Sequence, residues 1–232
     1  MKLSIVIPVY NEAQTVGHVI DRVRDVDLGE IEKEIIVVDD GSDDGSREII
    51  QRRRDQSDGM VRTHISLINL GKGAAVRMGF KVAGGDIVIV QDADLELDPN
   101  EYPLLVAPIV AGEADVVYGS RFLGRDRDSV PPRTRLANKL LTTVTNVLYG
   151  SHLTDMETAY KVFRADVLRR IKLRSIGFEI EPEVTARLLA AGYTIVEVPI
   201  SYSPRSTDEG KKIRTRDGLV ALYTLARCRM DG

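Results

Sequence analysis

The segment Ile87-Val88-Ile89-Val90-Gln91-Asp92-Ala93-Asp94 passes from an unbroken apolar run directly into closely spaced acids. A short run of β-branched residues is typical of a strand buried on both faces of a sheet. In open α/β sheets, ligands bind outside the carboxyl ends of the strands, which is where these acids begin. The segment therefore predicts a buried strand with a polar site at its end.

The same arrangement recurs through the first half of the chain. Apolar runs alternate with segments of helical period, which is the pattern of parallel strands joined by crossover helices. The predicted strands are 3–9, 34–38, 63–67, 86–91 and 115–118, separated by predicted helices at 13–26, 44–55, 72–83 and 100–111. The sequence therefore predicts an α/β fold with a mainly parallel sheet flanked by helices.

The second half is less regular but shows no boundary of its own. A basic loop at 124–135 precedes a predicted helix at 136–149, and a predicted helix at 181–191 precedes a strand at 194–202. No linker rich in glycine or proline separates the halves. We therefore expect a single domain spanning 1–232.

Composition excludes several classes of protein. A net charge of −3 gives no global electrostatic reason to expect a nucleic-acid partner. The single cysteine, Cys228, excludes an internal disulfide framework and a multi-cysteine zinc site. No apolar stretch approaches the roughly 18 residues of a membrane span, and the apolar N-terminus is too short for a signal peptide. We expect a cytoplasmic protein whose membrane contact, if any, is peripheral and on the cytoplasmic face.

Asp92 and Asp94 are the candidate metal ligands. At i and i+2 beyond a strand, both carboxylates can reach one hard cation, and Mg²⁺ or Mn²⁺ suits oxygen ligands completed by a diphosphate. The alternative is that these acids form a turn or a helix cap. Because Gln91 and Glu96 add further polar groups at the same sheet edge, which is costly unless something binds there, we favour the metal.

Asp39, Asp40 and Lys72 are candidate ligand-binding residues. Asp39 and Asp40 end another apolar strand. A carboxylate there can accept hydrogen bonds from a nucleotide base N–H or from ribose hydroxyls. The alternative is that these acids cap the N-terminus of the next helix. Lys72 follows Gly71 at the start of a predicted helix, whose N-terminal amides suit a phosphate, although a simple turn also explains the pair.

Together these motifs resemble glycosyltransferase family 2, and more narrowly the polyprenyl-phosphate (dolichyl-phosphate) mannose and glucose synthases. The segments that carry the resemblance are 4–12, 37–42, 71–73, 92–94 and 119–121. The resemblance implies a GT-A (nucleotide-diphospho-sugar transferase) fold with a Rossmann-like mixed sheet, inversion at the anomeric carbon and a divalent metal. It also implies a nucleotide-sugar-binding half at 1–122 and an acceptor-binding half with a C-terminal helix at 123–232.

The predicted site residues fall into groups by role. The residues expected to bind the nucleotide sugar are Pro8, Tyr10, Asn11, Glu12, Asp39, Asp40, Lys72, Asp92 and Ala93. The expected metal ligands are Asp92, Asp94 and Glu96, and the expected catalytic residues are Asp94, Asp155 and Arg121. The residues expected to bind an acceptor phosphate are Arg121, Arg133, Arg205 and Lys211.

The acceptor is open to two interpretations. A lipid monophosphate, with a second pKa of about 6, arrives ionised and needs cations rather than a base, which the arginines supply. A saccharide or small-molecule hydroxyl needs a general base, for which Asp155 and Glu157 are candidates. We expect transfer of a hexose from a UDP-glucose or GDP-mannose type donor to a polyprenyl or dolichyl phosphate, with the hydroxyl acceptor as the alternative.

Departures from the family pattern bear on which sugar is transferred and on whether the protein has a different activity. Mannose synthases typically show Gly-Phe-Arg where this chain has Asp-Met-Glu-Thr-Ala-Tyr-Lys at 155–161, which favours glucose transfer. A nucleotidyltransferase would carry a basic glycine-rich loop where this chain has Tyr10-Asn11-Glu12. A non-catalytic nucleotide-sugar sensor would keep the pocket without turnover.

One predicted helix bears on membrane contact. An apolar stripe on the helix at 136–149 consists of Leu136, Leu140, Val144, Val147 and Leu148. Such a stripe either faces the core or, if exposed, rests on a bilayer and presents a prenyl phosphate to the site.

Overall fold

The computed structural model describes residues 1–124, 129–204 and 215–231 and contains one seven-stranded sheet. The strands are β1 (Lys2–Val9), β2 (Glu32–Asp39), β3 (Val61–Ile65), β4 (Ile87–Val90), β5 (Val116–Ser120), β6 (Lys161–Arg164) and β7 (Ile195–Pro199). The helices are α1 (Val16–Asp25), α2 (Ser46–Asp55), α3 (Lys72–Val82), α4 (Tyr102–Val110), α5 (Pro132–Tyr149), α6 (Ala165–Arg170), α7 (Ile180–Ala190) and α8 (Thr215–Met230). A 3₁₀ turn at Pro99–Glu101 precedes α4.

The strand order is β3-β2-β1-β4-β6-β5-β7. β1 pairs in parallel with β2 on one side and with β4 on the other, so the chain reverses its direction of travel across the sheet at β1. Ligands of open α/β sheets bind at such a reversal, beyond the carboxyl ends of the strands. The topology thus places the ends of β1, β2 and β4 around one crevice.

Apolar side chains cover both faces of the sheet. Along β1, Ile5 and Ile7 pack in the core beneath α1 and α4, whereas Val6 packs with Val88 on the opposite face. This alternation follows from the two-residue period of a strand, and because both faces are covered the strands read as continuous apolar runs. The predicted α/β class and mainly parallel sheet are confirmed.

The antiparallel strand β6 is, like α6 after it, an element that the sequence did not predict. It lies between β4 and β5 and runs antiparallel to both. Its four residues, Lys-Val-Phe-Arg, begin and end with a charge and give little strand signal. Lys161 is nevertheless buried, which its ion pair with Glu181 of α7 allows.

The apolar stripe on α5 divides between two environments. Val144 and Leu148 pack against a cluster formed with α7 and α8, around Leu141. Leu136, Leu140 and Val147 point outward and are 71%, 57% and 79% exposed. The core-facing interpretation therefore holds for Val144 and Leu148, whereas the other three residues form an exposed apolar surface.

Candidate active site

A cavity of about 800 Å³ lies at the carboxyl ends of β1, β2, β4 and β5 and is closed by α5, α7 and α8. Its wall includes most of the predicted site residues: Pro8, Tyr10, Glu12, Asp40, Lys72, Asp92, Ala93, Asp94, Glu96, Arg121 and Arg133. Both halves of the chain contribute to it. Residues from strand ends that are far apart in sequence thus surround one space large enough for a small ligand.

The turn after β4 holds the acids in a defined arrangement. Buried Gln91 accepts hydrogen bonds from the hydroxyls of Tyr102 and Tyr160, both at 2.7 Å, and donates to the carbonyl of Asp92 at 2.9 Å. Leu95 adopts a φ of 61°, which is costly for a side chain of this kind and is found mainly where function requires it. The sharp turn lets the Glu96 amide donate to Asp94 Oδ1 at 3.1 Å.

Lys72 connects this turn to α7. Its Nζ lies 2.8 Å from Asp92 Oδ1 and 3.1 Å from Glu181 Oε1, and the other oxygen of Glu181 lies 2.5 Å from Lys161 Nζ. Burial alone would lower the pKa of Lys72, but Asp92 and Glu181 outweigh it and raise the pKa above its ordinary value. The pKa of Glu181 is lowered, since its two lysine partners outweigh its burial. Lys72 is therefore a fixed cation at the cavity wall.

Asp40 holds the loop that leads into α3. Its carboxylate accepts from the backbone amides of Leu70 at 2.9 Å and Gly71 at 2.7 Å. Burial raises the pKa of Asp40, and these two hydrogen bonds oppose the rise. Asp39 lies outside the cavity wall: it is fully buried, pairs with Arg47 at 3.1 Å and accepts from the Ser42 amide. Asp39 thus holds the turn at Ser42 and does not cap α2, whose N-cap is Gly45, whereas Asp40 lines the cavity.

Two of the N-terminal amides of α3 are occupied within the protein. Gly73 N–H donates to the Gly177 carbonyl at 3.1 Å, and Ala74 N–H donates to the Ile176 carbonyl at 3.1 Å. Since these two donors are used within the protein, they do not face a phosphate in the cavity. Lys72 is the part of this motif that lines the cavity.

Arg121 and Asp155 form a buried pair. Arg121 Nε and one terminal nitrogen lie 2.7 and 2.8 Å from the two Asp155 oxygens, and Asn138 donates to the same carboxylate at 2.7 Å. Asp155 is fully buried, and although burial opposes it, the charge of Arg121 holds the pKa of Asp155 below its ordinary value. Asp155 does not line the cavity, so its geometry is that of a group that orients Arg121.

Glu157, two residues further on, is in the opposite situation. It lines the cavity, and its Oε1 is buried without a hydrogen-bond partner in the described part of the chain. Burial raises the pKa of Glu157 to about 7. Of the two acids named as bases for a hydroxyl acceptor, the one with an unused carboxyl oxygen at the cavity is thus Glu157.

Other predicted residues fall away from the cavity or outside the described chain. Asn11 lies beside the wall. Its backbone N–H donates to Ser42 Oγ at 3.0 Å, and its side-chain Oδ1 accepts from the backbone N–H of Asp43. Arg205 and Lys211 lie outside the described residues.

Sequence reasoning missed Glu181, Phe178 and Tyr202 of the wall. An acid in the first turn of a helix is ordinary, so Glu181 gave no signal. Phe178 precedes α7 and Tyr202 follows β7, and the sequence did not reveal that these two elements bring them to the cavity.

The model of the family described as "Glycosyl transferase family 2" matches residues 4–172. The chain belongs to this family. Among its curated relatives is an undecaprenyl-phosphate mannosyltransferase of Micrococcus luteus, 30% identical over 91% of this chain and 87% of the relative. Another is a dolichol-phosphate mannosyltransferase of Pyrococcus furiosus, 32% identical over 91% of this chain but only 59% of the relative.

Solved structures support the fold of this family 2 glycosyltransferase. Glucosyl-3-phosphoglycerate synthase of Mycobacterium tuberculosis in complex with UDP matches with a TM-score of 0.73 and 21% identity, over 99% of this chain and 80% of that one. The same enzyme with Mg²⁺ and UDP matches with a TM-score of 0.72 and 21% identity, over 99% and 79%. The GT-A fold is thereby confirmed.

Proposed function

We propose that this glycosyltransferase transfers a hexose, with inversion, from a nucleotide-diphosphate sugar to a polyprenyl phosphate. The observation that carries the proposal is the single cavity that joins the acids after β4 to the arginines Arg121 and Arg133. Relatives that cover most of this chain are named as polyprenyl-phosphate sugar transferases, which supports the acceptor class. The sugar is proposed to be glucose or mannose.

The donor would occupy the side of the cavity formed by the first half of the chain. Pro8, Tyr10 and Glu12 follow β1 and Asp40 follows β2, so they surround the space proposed for the nucleoside. Lys72, at the adjacent wall, would face the diphosphate. A lysine with its charge fixed by two carboxylates needs little reorganisation to stabilise negative charge.

The side chains beyond β4 fit a divalent cation shared with the substrate. Among the described residues, no cluster of three or more His, Cys, Asp or Glu side chains could hold a metal alone. Magnesium is commonly bound through one or two carboxylates together with substrate phosphates, which matches this chain. Asp94 and Glu96 would hold the cation, with Asp92 contributing if it is released from Lys72. When bound, the cation would stabilise the charge on the departing diphosphate.

The acceptor phosphate would lie on the side of Arg121 and Arg133. Arg121 is oriented by Asp155 and lies over the Tyr202 ring, with its Cζ 5.3 Å from the ring centroid. Exposed Arg133 lies in the first turn of α5 and lines the cavity. One phosphate oxygen would attack the anomeric carbon opposite the diphosphate; the new C–O bond forms as the old one breaks, and the electron pair leaves with the nucleoside diphosphate.

The outer face of α5 and α8 is proposed to rest on the membrane that holds the lipid. Beside the exposed α5 residues, Leu219, Tyr223 and Met230 of α8 are 71%, 64% and 79% exposed. Exposed basic residues on the same helices, Arg133, Lys139 and Arg216, suit anionic headgroups. None of the helices formed by the described residues combines the length and apolar composition needed to cross a membrane.

A transfer assay tests this function. The protein is incubated with UDP-glucose or GDP-mannose, Mn²⁺ and undecaprenyl phosphate in detergent, and the lipid fraction is analysed by mass spectrometry. We expect a hexosyl lipid phosphate from one donor and none after chelation. Transfer to a saccharide hydroxyl or to 3-phosphoglycerate in parallel reactions, with no lipid product, would overturn the proposal.

A further inference from the structure

The Glu157 carboxyl has one buried oxygen that no described residue hydrogen-bonds. Its Oε1 is inaccessible to solvent and has no partner within the described residues, although the residue lines the cavity. Burying such an oxygen without a hydrogen bond costs about 1–3 kcal/mol. An unsatisfied group at the wall of a binding cavity indicates that a ligand supplies the missing partner.

The charged groups around Glu157 are already committed to one another. Arg121 is held by both oxygens of Asp155, and Lys161 binds Glu181. Among the residues that the structure describes, no ion pair therefore neutralises Glu157. Burial raises its pKa most, while Lys161 and Arg121 lower it and Glu181 and Asp155 raise it, and the result is a pKa of about 7.

We propose that Glu157, in its protonated form, donates a hydrogen bond to an oxygen of the acceptor phosphate. The inference rests on the proposed function and adds a residue that recognises the acceptor. An ionised carboxylate at this place would repel a phosphate, whereas a carboxylic acid donates a short, strong O–H···O⁻ bond. An apolar or buried site can keep a carboxylic acid neutral near pH 7 for this purpose.

The proposal has a defined pH dependence. The pKa of Glu157 is raised, so its proton is present below about pH 7 and lost above it. The phosphate loses its own second proton near pH 6, so the matched pair of protonated carboxyl and dianionic phosphate is most populated between these values. Affinity for the phosphate should fall about tenfold per pH unit once Glu157 ionises.

Binding of farnesyl phosphate, measured by calorimetry from about pH 6.5 to 8.5, tests the proposal. The variants are Glu157→Gln, which keeps a neutral donor, Glu157→Leu, which removes it, and the exposed control Glu113→Gln. We expect wild-type protein and the control to lose affinity above about pH 7, and Glu157→Gln to bind with little pH dependence. Glu157→Leu should bind at least about tenfold more weakly at pH 6.5.

Two results would overturn the proposal. One is wild-type affinity that does not change with pH. The other is transfer that rises with pH through about 7 and is abolished in Glu157→Gln, since that is the behaviour of a general base for a hydroxyl acceptor.

A direct titration covers the case in which the variants do not fold. The ¹³C carboxyl signal of Glu157 in wild-type protein should have a midpoint near 7, and an ordinary glutamate midpoint would refute the idea. Failure of the proposed function itself is distinguishable, because wild-type protein would then form no sugar lipid at any pH.

Discussion

At the residue scale, the carboxylates around the cavity differ in whether a cation already neutralises them. Asp92 is paired with Lys72 and Asp155 with Arg121, whereas Glu157 has no such partner in the described ranges of the chain. The sequence predicted that acids and arginines would meet, since they follow neighbouring strands. It could not predict which acids would be paired, because Arg121 and Asp155 are 34 positions apart and their contact depends on the pairing of β5 with β7, whose Glu197 holds the Asp155 segment.

Replacing Asp155 with Asn should destabilise the protein, because it leaves the Arg121 guanidinium buried with no opposite charge. Breaking a buried pair costs about 3–5 kcal/mol, and urea denaturation would measure the loss. Asp115→Asn is the control, since its pair with Arg164 is about half exposed and should contribute less than about 1 kcal/mol. Equal destabilisation by both variants would contradict the assigned role of Asp155.

The same pair should give stability a pH dependence on the acid side. Because the pKa of Asp155 is lower in the folded protein, its contribution is fully present above the unfolded value of about 4 and is lost as the pH falls through the folded value. Urea denaturation at a series of pH values should therefore show a shallower acid slope for Asp155→Asn than for wild-type protein. Parallel slopes would contradict this.

At the scale of elements, the first four crossover units were predictable and the packing of α7 against α3 was not. The predicted strands at 3–9, 34–38 and 86–91 match β1, β2 and β4 within two residues because their apolar runs end at clear polar boundaries. The strand predicted at 63–67 lies at Val61–Ile65, because its polar, half-exposed residues mark no boundary. The strand β6 was missed because a short antiparallel strand inserted between two others leaves no periodic pattern in the sequence.

Glycine at position 71 is required by the approach of α3 to the segment before α7. Its φ of 108° is in a region that is essentially limited to glycine, and a Cβ there would lie 2.4 Å from the Ile176 carbonyl oxygen. Gly71→Ala should cost more than about 3 kcal/mol and weaken nucleotide binding, since Lys72 would be displaced. Gly112→Ala, with a φ of 74° but open space around it, should cost only about 1–2 kcal/mol. Denaturation of both variants tests this, and similar losses would contradict it.

At the scale of the whole molecule, the proposed lipid acceptor requires a surface that meets the membrane. The net charge of −3 does not favour an anionic bilayer, so the interaction must be local to α5 and α8. The predicted stripe on α5 suggested such a face, but only the structure shows that Val144 and Leu148 turn inward while Leu136, Leu140 and Val147 turn outward.

Replacing Leu136, Leu140 and Val147 with Ser should reduce sedimentation with vesicles that contain anionic lipid, because each exposed apolar side chain contributes to burial in the interface. Nucleotide binding and thermal stability should be retained. Leu104→Ser on α4, which removes an exposed leucine from another helix, is the matched control. Vesicle binding that is unchanged in the triple variant would exclude this face.

The central claim is that the cavity binds a nucleoside diphosphate together with a cation held by Asp94. The most direct test is calorimetric titration with UDP and with GDP, each in the presence of Mn²⁺ and in the presence of a chelator. We expect one nucleotide to bind wild-type protein only with Mn²⁺. We expect Asp94→Asn to weaken that binding by at least about tenfold, since the substitution removes a charged ligand. Binding of equal strength in chelator, or in Asp94→Asn with Mn²⁺, would contradict the claim.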